Sequence, residues 1–173
     1  MKRRIGWIIV ALLISSLASP ILADEMDHKP APPADARFEF LKSLAGQWTA
    51  DGEHLSGAFE FSITAGGHAV QEREMIGTPM EMMTVYHMQG EDLVATHYCM
   101  VGNQPRLLAS ELKNTNHLEF ECDGKPGNTK SHDEGHIHSW TMTLNDDGSL
   151  KYDAVMHSGE GAENFNTVLR RAK

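Results

Sequence analysis

From residue 46 onward, apolar and polar positions alternate with a period of two in short segments. Phe59, Phe61 and Ile63 alternate with polar neighbours, as do Leu118, Phe120 and Cys122. His136, His138, Trp140, Met142 and Leu144 share one parity, while Ser139, Thr141, Thr143 and Asn145 share the other. Such alternation predicts half-buried β-strands. Gly-, Asn- and Asp-rich turns at 65–67, 89–92, 113–116 and 145–148 punctuate them. About ten strands follow, at roughly 46–54, 57–64, 68–76, 80–88, 92–100, 104–112, 116–122, 134–144, 149–157 and 163–171. The economical fold is all-β, an up-and-down antiparallel barrel, because closure removes the edges that an open meander would expose. Only 37–45 departs from this pattern. Phe38, Leu41, Leu44 and Ala45 recur there at helical spacing, with Asp35 as a cap and Gly46 as a stop, which predicts one short N-terminal helix.

The first 23 residues read as an export signal. Lys2, Arg3 and Arg4 precede an apolar stretch over 5–17, and a small-residue exit ends at Ala23. The stretch is short for a membrane span, which needs roughly 20 residues, so cleavage after Ala23 and a periplasmic or secreted protein are expected, with no stable membrane insertion afterwards. Residues 24–36, charged and Pro-rich, read as a flexible tether to a single barrel domain over 37–173. The 173-residue chain carries 24 Asp and Glu against 15 Lys and Arg, and three of those cations lie in the signal. So acidic a mature chain, without a basic stripe, argues against nucleic acid and anionic lipid as partners.

Leu44, Gly46 and Trp48 at the start of the barrel, with Arg170 and Arg171 at its end, resemble the signature of calycin-type barrels, the lipocalins and fatty-acid-binding proteins. In that family a G-x-W on the first strand packs under a basic side chain of the last strand. The resemblance implies a structural role for Gly46, Trp48 and Arg170, with a guanidinium lying across the indole face. The runs MTVYHM at 83–88 and THYCMVGNQPR at 96–106 are similar to segments of uncharacterised exported bacterial proteins, over most of 37–173. That second likeness implies export and fold, without an activity.

Up-and-down order assigns strand directions. Loops after the odd-numbered strands fall at one end, here the top, which also gathers His54, Met75, Met80, Met82, His97, Cys99, Cys122, His132, His136, His138, Met156 and His157. The bottom holds His68, His87, Met88 and His117. The more elaborate loops are also at the top, so a ligand-binding mouth is expected there. Parity directs His136, His138 and Trp140 inward, and one of two choices for the fifth strand directs His97 and Cys99 inward as well.

Three readings of this mouth are open. The first is a binding barrel for an apolar or amphipathic small molecule, using His97, His136, His138, Trp140 and Met82, with Arg106 available for an anionic ligand group. The second is a metal or haem protein: His132, His136 and His138 lie within seven residues, and the nearby Met and Cys side chains favour copper over zinc. Met residues are equally adaptable filler around an apolar ligand. The third is an enzyme using His97, His136 or His138 as acid–base, with Glu72 and Glu74 as candidate acids that no nucleophile accompanies. The run from His132 to His136 mimics a zinc-protease motif, but Asp133 stands where the general-base Glu belongs and Gly135 disfavours the required helix. Cys99 and Cys122 are the only cysteines, and export makes a disulfide between them a possibility that their two-strand separation opposes.

Overall fold

The computed structural model describes residues 35–52, 55–112, 114, 116–124, 127–128, 131 and 133–173. Residues 1–23, expected to be an export signal, most of the segment 24–36 expected to be a tether, His54 and His132 lie outside the described residues. Helix α1 (Ala36–Ser43) leads into ten strands: β1 (Gly46–Asp51), β2 (Ser56–Thr64), β3 (Ala69–Ile76), β4 (Met82–Gln89), β5 (Asp92–Tyr98), β6 (Arg106–Ala109), β7 (His117–Cys122), β8 (His136–Leu144), β9 (Leu150–Ser158) and β10 (Gly161–Arg171). Each pairs antiparallel with its sequence neighbours, and β1 pairs with β10 to close the barrel. The all-β up-and-down barrel with one short helix is therefore the fold of this chain.

Asp35 caps α1 by accepting hydrogen bonds from the backbone N–H groups of Arg37 and Phe38, so the last residues assigned to the tether belong to the helix start. Phe38, Phe40 and Leu41 of α1 are buried, and Arg37 donates to the carbonyl of Glu91 in the β4–β5 turn. The helix thereby lies across the bottom end. At that turn Gln89 pairs with Asp92, and Gly90 takes φ 66°, the left-handed value a two-residue hairpin demands.

Trp48 is fully buried and donates its indole N–H to the carbonyl of Leu44 at 2.9 Å. Arg171, its register partner on β10, lays its guanidinium over the indole ring at 4.2 Å from the centroid. Its nitrogens also donate to the carbonyls of Ala45 and Ser43 at 2.6 and 2.9 Å. Gly46 makes room for this: a Cβ there would sit 2.7 Å from Arg171 Nη1. The stacking residue is thus Arg171 and not Arg170, whose side chain is 67% exposed and faces Asp147. Period-two parity explains the choice, because Leu169 is buried and Arg171 follows it on the same face.

Above Trp48 the interior is filled by rings. Trp48 meets Phe61 edge-on at 6.5 Å, while Phe120 lies 5.1 Å from Trp140 and 5.3 Å from Tyr86. Two irregularities interrupt the ladders, both toward the top. The β2–β3 register slips between Ala58 and Glu60, where Met75 on β3 takes φ 49°. The β8–β9 register slips between Ile137 and Ser139, leaving His138 as the extra residue. An extra residue reverses which side chains face inward beyond it.

Candidate functional site

The aromatic filling stops short of the top, where a cavity of about 150 Å³ remains. Its wall draws on residues from the top connections, Leu55, Met80, Cys99, Met100 and Val101, and on Met82, His97, Trp140, Tyr152, Ala154 and Met156 from the strands. Met80, Met100 and Val101 are exposed, so they form its rim. Five thioethers in all line it, with Cys99 Sγ lying 3.9 Å from Met82 Sδ. The slip in β3 brings Glu74 and Met75, consecutive in sequence, both into the lining.

Beneath this apolar surface runs a buried polar chain. Thr84 Oγ1 lies 2.9 Å from His97 Nδ1 and 3.3 Å from a Glu74 carboxyl oxygen, and His97 Nδ1 is 3.5 Å from the same oxygen. One layer deeper, the Tyr86 hydroxyl donates to Glu72 at 2.5 Å. All five side chains are buried. They meet because β3, β4 and β5 align Glu72 with Thr84 and Thr84 with His97 across consecutive ladders.

Burial sets the charge states here. Desolvation raises Glu74 to about 7, and it raises Glu72 well above the usual carboxyl range, with the neighbouring Glu74 charge adding to the push. Desolvation lowers His97 to about 4. The Glu74–His97 separation would suit an ion pair, yet loss of hydration outweighs the attraction, and at mildly acid pH both groups are neutral and joined through the Thr84 hydroxyl. At neutral pH the group poised to exchange a proton is therefore Glu74, while His97 offers a neutral ring. His97 Nε2 and Trp140 Nε1 are buried and make no hydrogen bond among the described residues, which leaves one imidazole nitrogen and one N–H donor for a third party.

His97, Met82 and Trp140 thus lie together in the cavity wall; parity anticipated this for Trp140, and for the fifth strand the structure selects the choice that turns His97 inward. His136 and His138 do not. Ile137 and its ladder partner Met156 take the cavity positions, so His136 and its own partner His157 project from the other face of the sheet. The inward direction expected for both histidines is corrected by the bulge at His138. Arg106 is also absent from the cavity: its guanidinium pairs with Asp123 and donates to Gln89 Oε1 at 3.0 Å. Cys99 and Cys122 are not joined in a disulfide, in keeping with their two-strand separation.

The displaced histidines form a second cluster. His136 is 1% exposed, His138 stacks face to face on His157 with centroids 3.9 Å apart, and Cys122 approaches from β7. A ligand atom from each of Cys122, His136 and His138 lies within 4.8 Å of the other two. The trio expected from spacing, His132 with His136 and His138, shares two of these residues, and Cys122 is the third that the structure brings. Thr84, Tyr86 and Tyr152 were not singled out from sequence. The signal for the first two lay in β4, where Met82, Thr84 and Tyr86 share one parity. No protein-family model matches the chain, and no curated protein is significantly similar to it in sequence.

Proposed function

We propose that this chain is an exported, calycin-like binding barrel for a small, largely apolar molecule bearing one polar group. The observation that carries the reading is the thioether- and aromatic-lined cavity, whose wall includes His97 and Trp140, two residues that each hold a buried ring nitrogen with no partner among the described residues. A volume of about 150 Å³ is that of a known engineered cavity that accepts benzene. The ligand class is accordingly a single ring or a short chain, smaller than the long lipids that wider barrels enclose. Met80 and Met100 at the rim can adapt to its shape, as unbranched thioethers do.

Phenol and toluene, nearly equal in bulk and differing in one hydroxyl, are suitable probes by titration calorimetry. Phenol is expected to bind more tightly, and His97→Ala to remove most of that advantage, about tenfold for one buried hydrogen bond. Met82→Trp, which fills the cavity, is expected to abolish both. Equal affinities for the two probes in the wild type, or binding undisturbed by Met82→Trp, would place the ligand elsewhere. Export carries its own check: the protein isolated from the periplasm is expected to begin at Asp24, and an intact Met1 on membrane-bound protein would show an anchor instead.

A further inference from the structure

We propose that Cys122, His136 and His138 form a binding site for a zinc-type divalent transition-metal ion, separate from the apolar cavity. One thiolate and two imidazoles suit zinc(II), whose bonds of about 2.0–2.3 Å in a tetrahedron put ligand atoms roughly 3.3–3.6 Å apart. The three atoms already lie within 4.8 Å of one another, so small side-chain rotations would close the site. The Met82, Met75 and Met80 thioethers, which from sequence favoured copper, line the cavity instead, and the remaining donor set is borderline and not soft.

Three features of the surroundings support the assignment. His136 Nδ1 lies 2.8 Å from the carbonyl oxygen of Glu134, so that nitrogen carries the proton and Nε2 carries the lone pair that a metal requires. Asn103 Nδ2 donates to the carbonyl of Gly135 at 2.7 Å, holding the chain just before His136, and His157 holds the His138 ring by stacking. An open groove of about 540 Å³ over β6–β8 is lined by Cys122 together with Glu119, Glu121 and Asp123. It opens beside Cys122 and supplies an entry path on that side.

The bulge is what makes the site. With a regular ladder, His136 and His138 would continue the parity of Trp140 and sit in the apolar cavity. The extra residue lets both rings gather with His157 beside Cys122. Three protein ligands leave the fourth position to water or a small ligand.

The test is titration of the reduced, metal-free mature protein with zinc(II) by calorimetry and native mass spectrometry, and with cobalt(II) by absorption spectroscopy. One equivalent is expected to bind, with release of the thiol proton. Cys122→Ser, His136→Ala and His138→Ala are each expected to weaken zinc binding at least about 100-fold, while Cys99→Ser, His68→Ala and His117→Ala leave it unchanged. With cobalt(II), the thiolate-to-metal charge-transfer band is expected in the wild type and lost in Cys122→Ser. Circular dichroism of each variant separates ligand loss from unfolding. His136→Gln and His138→Gln repeat the test should an alanine variant fail to fold. Zinc binding that is absent, or that survives all three ligand substitutions, or that is lost with Cys99→Ser, would overturn the proposal. Phenol binding is expected to be indifferent to Cys122→Ser, so the failure of either site is distinguishable from the failure of the other.

Discussion

Replacing Trp48 with alanine is expected to lower the unfolding free energy by about 3–5 kcal/mol, the range for removing a buried aromatic side chain. Against the roughly 5–15 kcal/mol that holds a typical domain together, this is a large share. Three interactions are lost at once: the packing against Phe61, the indole N–H donated to Leu44 and the platform under Arg171. Trp48→Phe keeps a ring and should cost less. Arg171→Ala strips the stacked cation and frees the carbonyls of Ala45 and Ser43, whereas Arg170→Ala removes a mostly exposed side chain and should be close to neutral. Urea unfolding of the four variants checks the order. If Trp48→Ala unfolds at the wild-type midpoint, or if Arg170→Ala costs as much as Arg171→Ala, the bottom of the barrel is not held by this stack.

Stability is expected to fall as pH rises from about 6.5 to 8, opposite to the trend of a protein stabilised by ionised carboxylates. Glu74 has a folded-state value of about 7 against 4.5 for an ordinary Glu, so between these values the folded chain keeps a proton that the unfolded chain has lost. Raising the pH through that window favours unfolding, by about 3 kcal/mol in total for this one group, of which about 1 kcal/mol falls above pH 6.5. Glu72, raised further by burial and by the Glu74 charge, acts in the same direction. His97 acts oppositely: it is lowered from 6.5 to about 4, so between those values the unfolded chain binds more protons and rising pH favours folding. The two effects oppose one another from about pH 4.5 to 6.5. Above that range only the carboxyls act, and below it His97 protonation removes stability. Melting temperatures across pH 4 to 8.5 should therefore peak in the mildly acid region. Glu74→Gln and Glu72→Gln should each flatten the alkaline decline, and His97→Gln the acid one. A Glu74→Gln protein with the wild-type slope above pH 6.5 would show that Glu74 is hydrated in the folded state.

The neutral character of the buried chain bears on the cavity above it. At mildly acid pH a protonated Glu74 and an uncharged His97 present hydrogen-bonding groups without net charge, so the wall then suits an uncharged polar group on the ligand better than a carboxylate or an ammonium. With Arg106 engaged by Asp123 on the outside of the barrel, no guanidinium of the described residues lines the cavity to receive an anion.

Most of the architecture was legible in the residues, because strand alternation, turn chemistry and the helix cap are local properties. Phe59 and Phe61 declare a buried face whatever surrounds them, and Gly90 declares a tight turn at the β4–β5 hairpin. Strand directions then followed from up-and-down order, and with them the end of the barrel at which Met82, His97 and Trp140 meet. What could not be read were the departures from that order. An extra residue at His138, or the positive φ of Met75, belongs to the pairing of two strands and leaves no mark in the alternation of either one. The bulge took His136 and His138 from the cavity to Cys122, and the slip in β3 put Glu74 beside Met75 in the lining. Likewise the protonation of Glu74 and His97 is set by how completely the closed barrel excludes water around them, a property of every strand together and of neither residue alone.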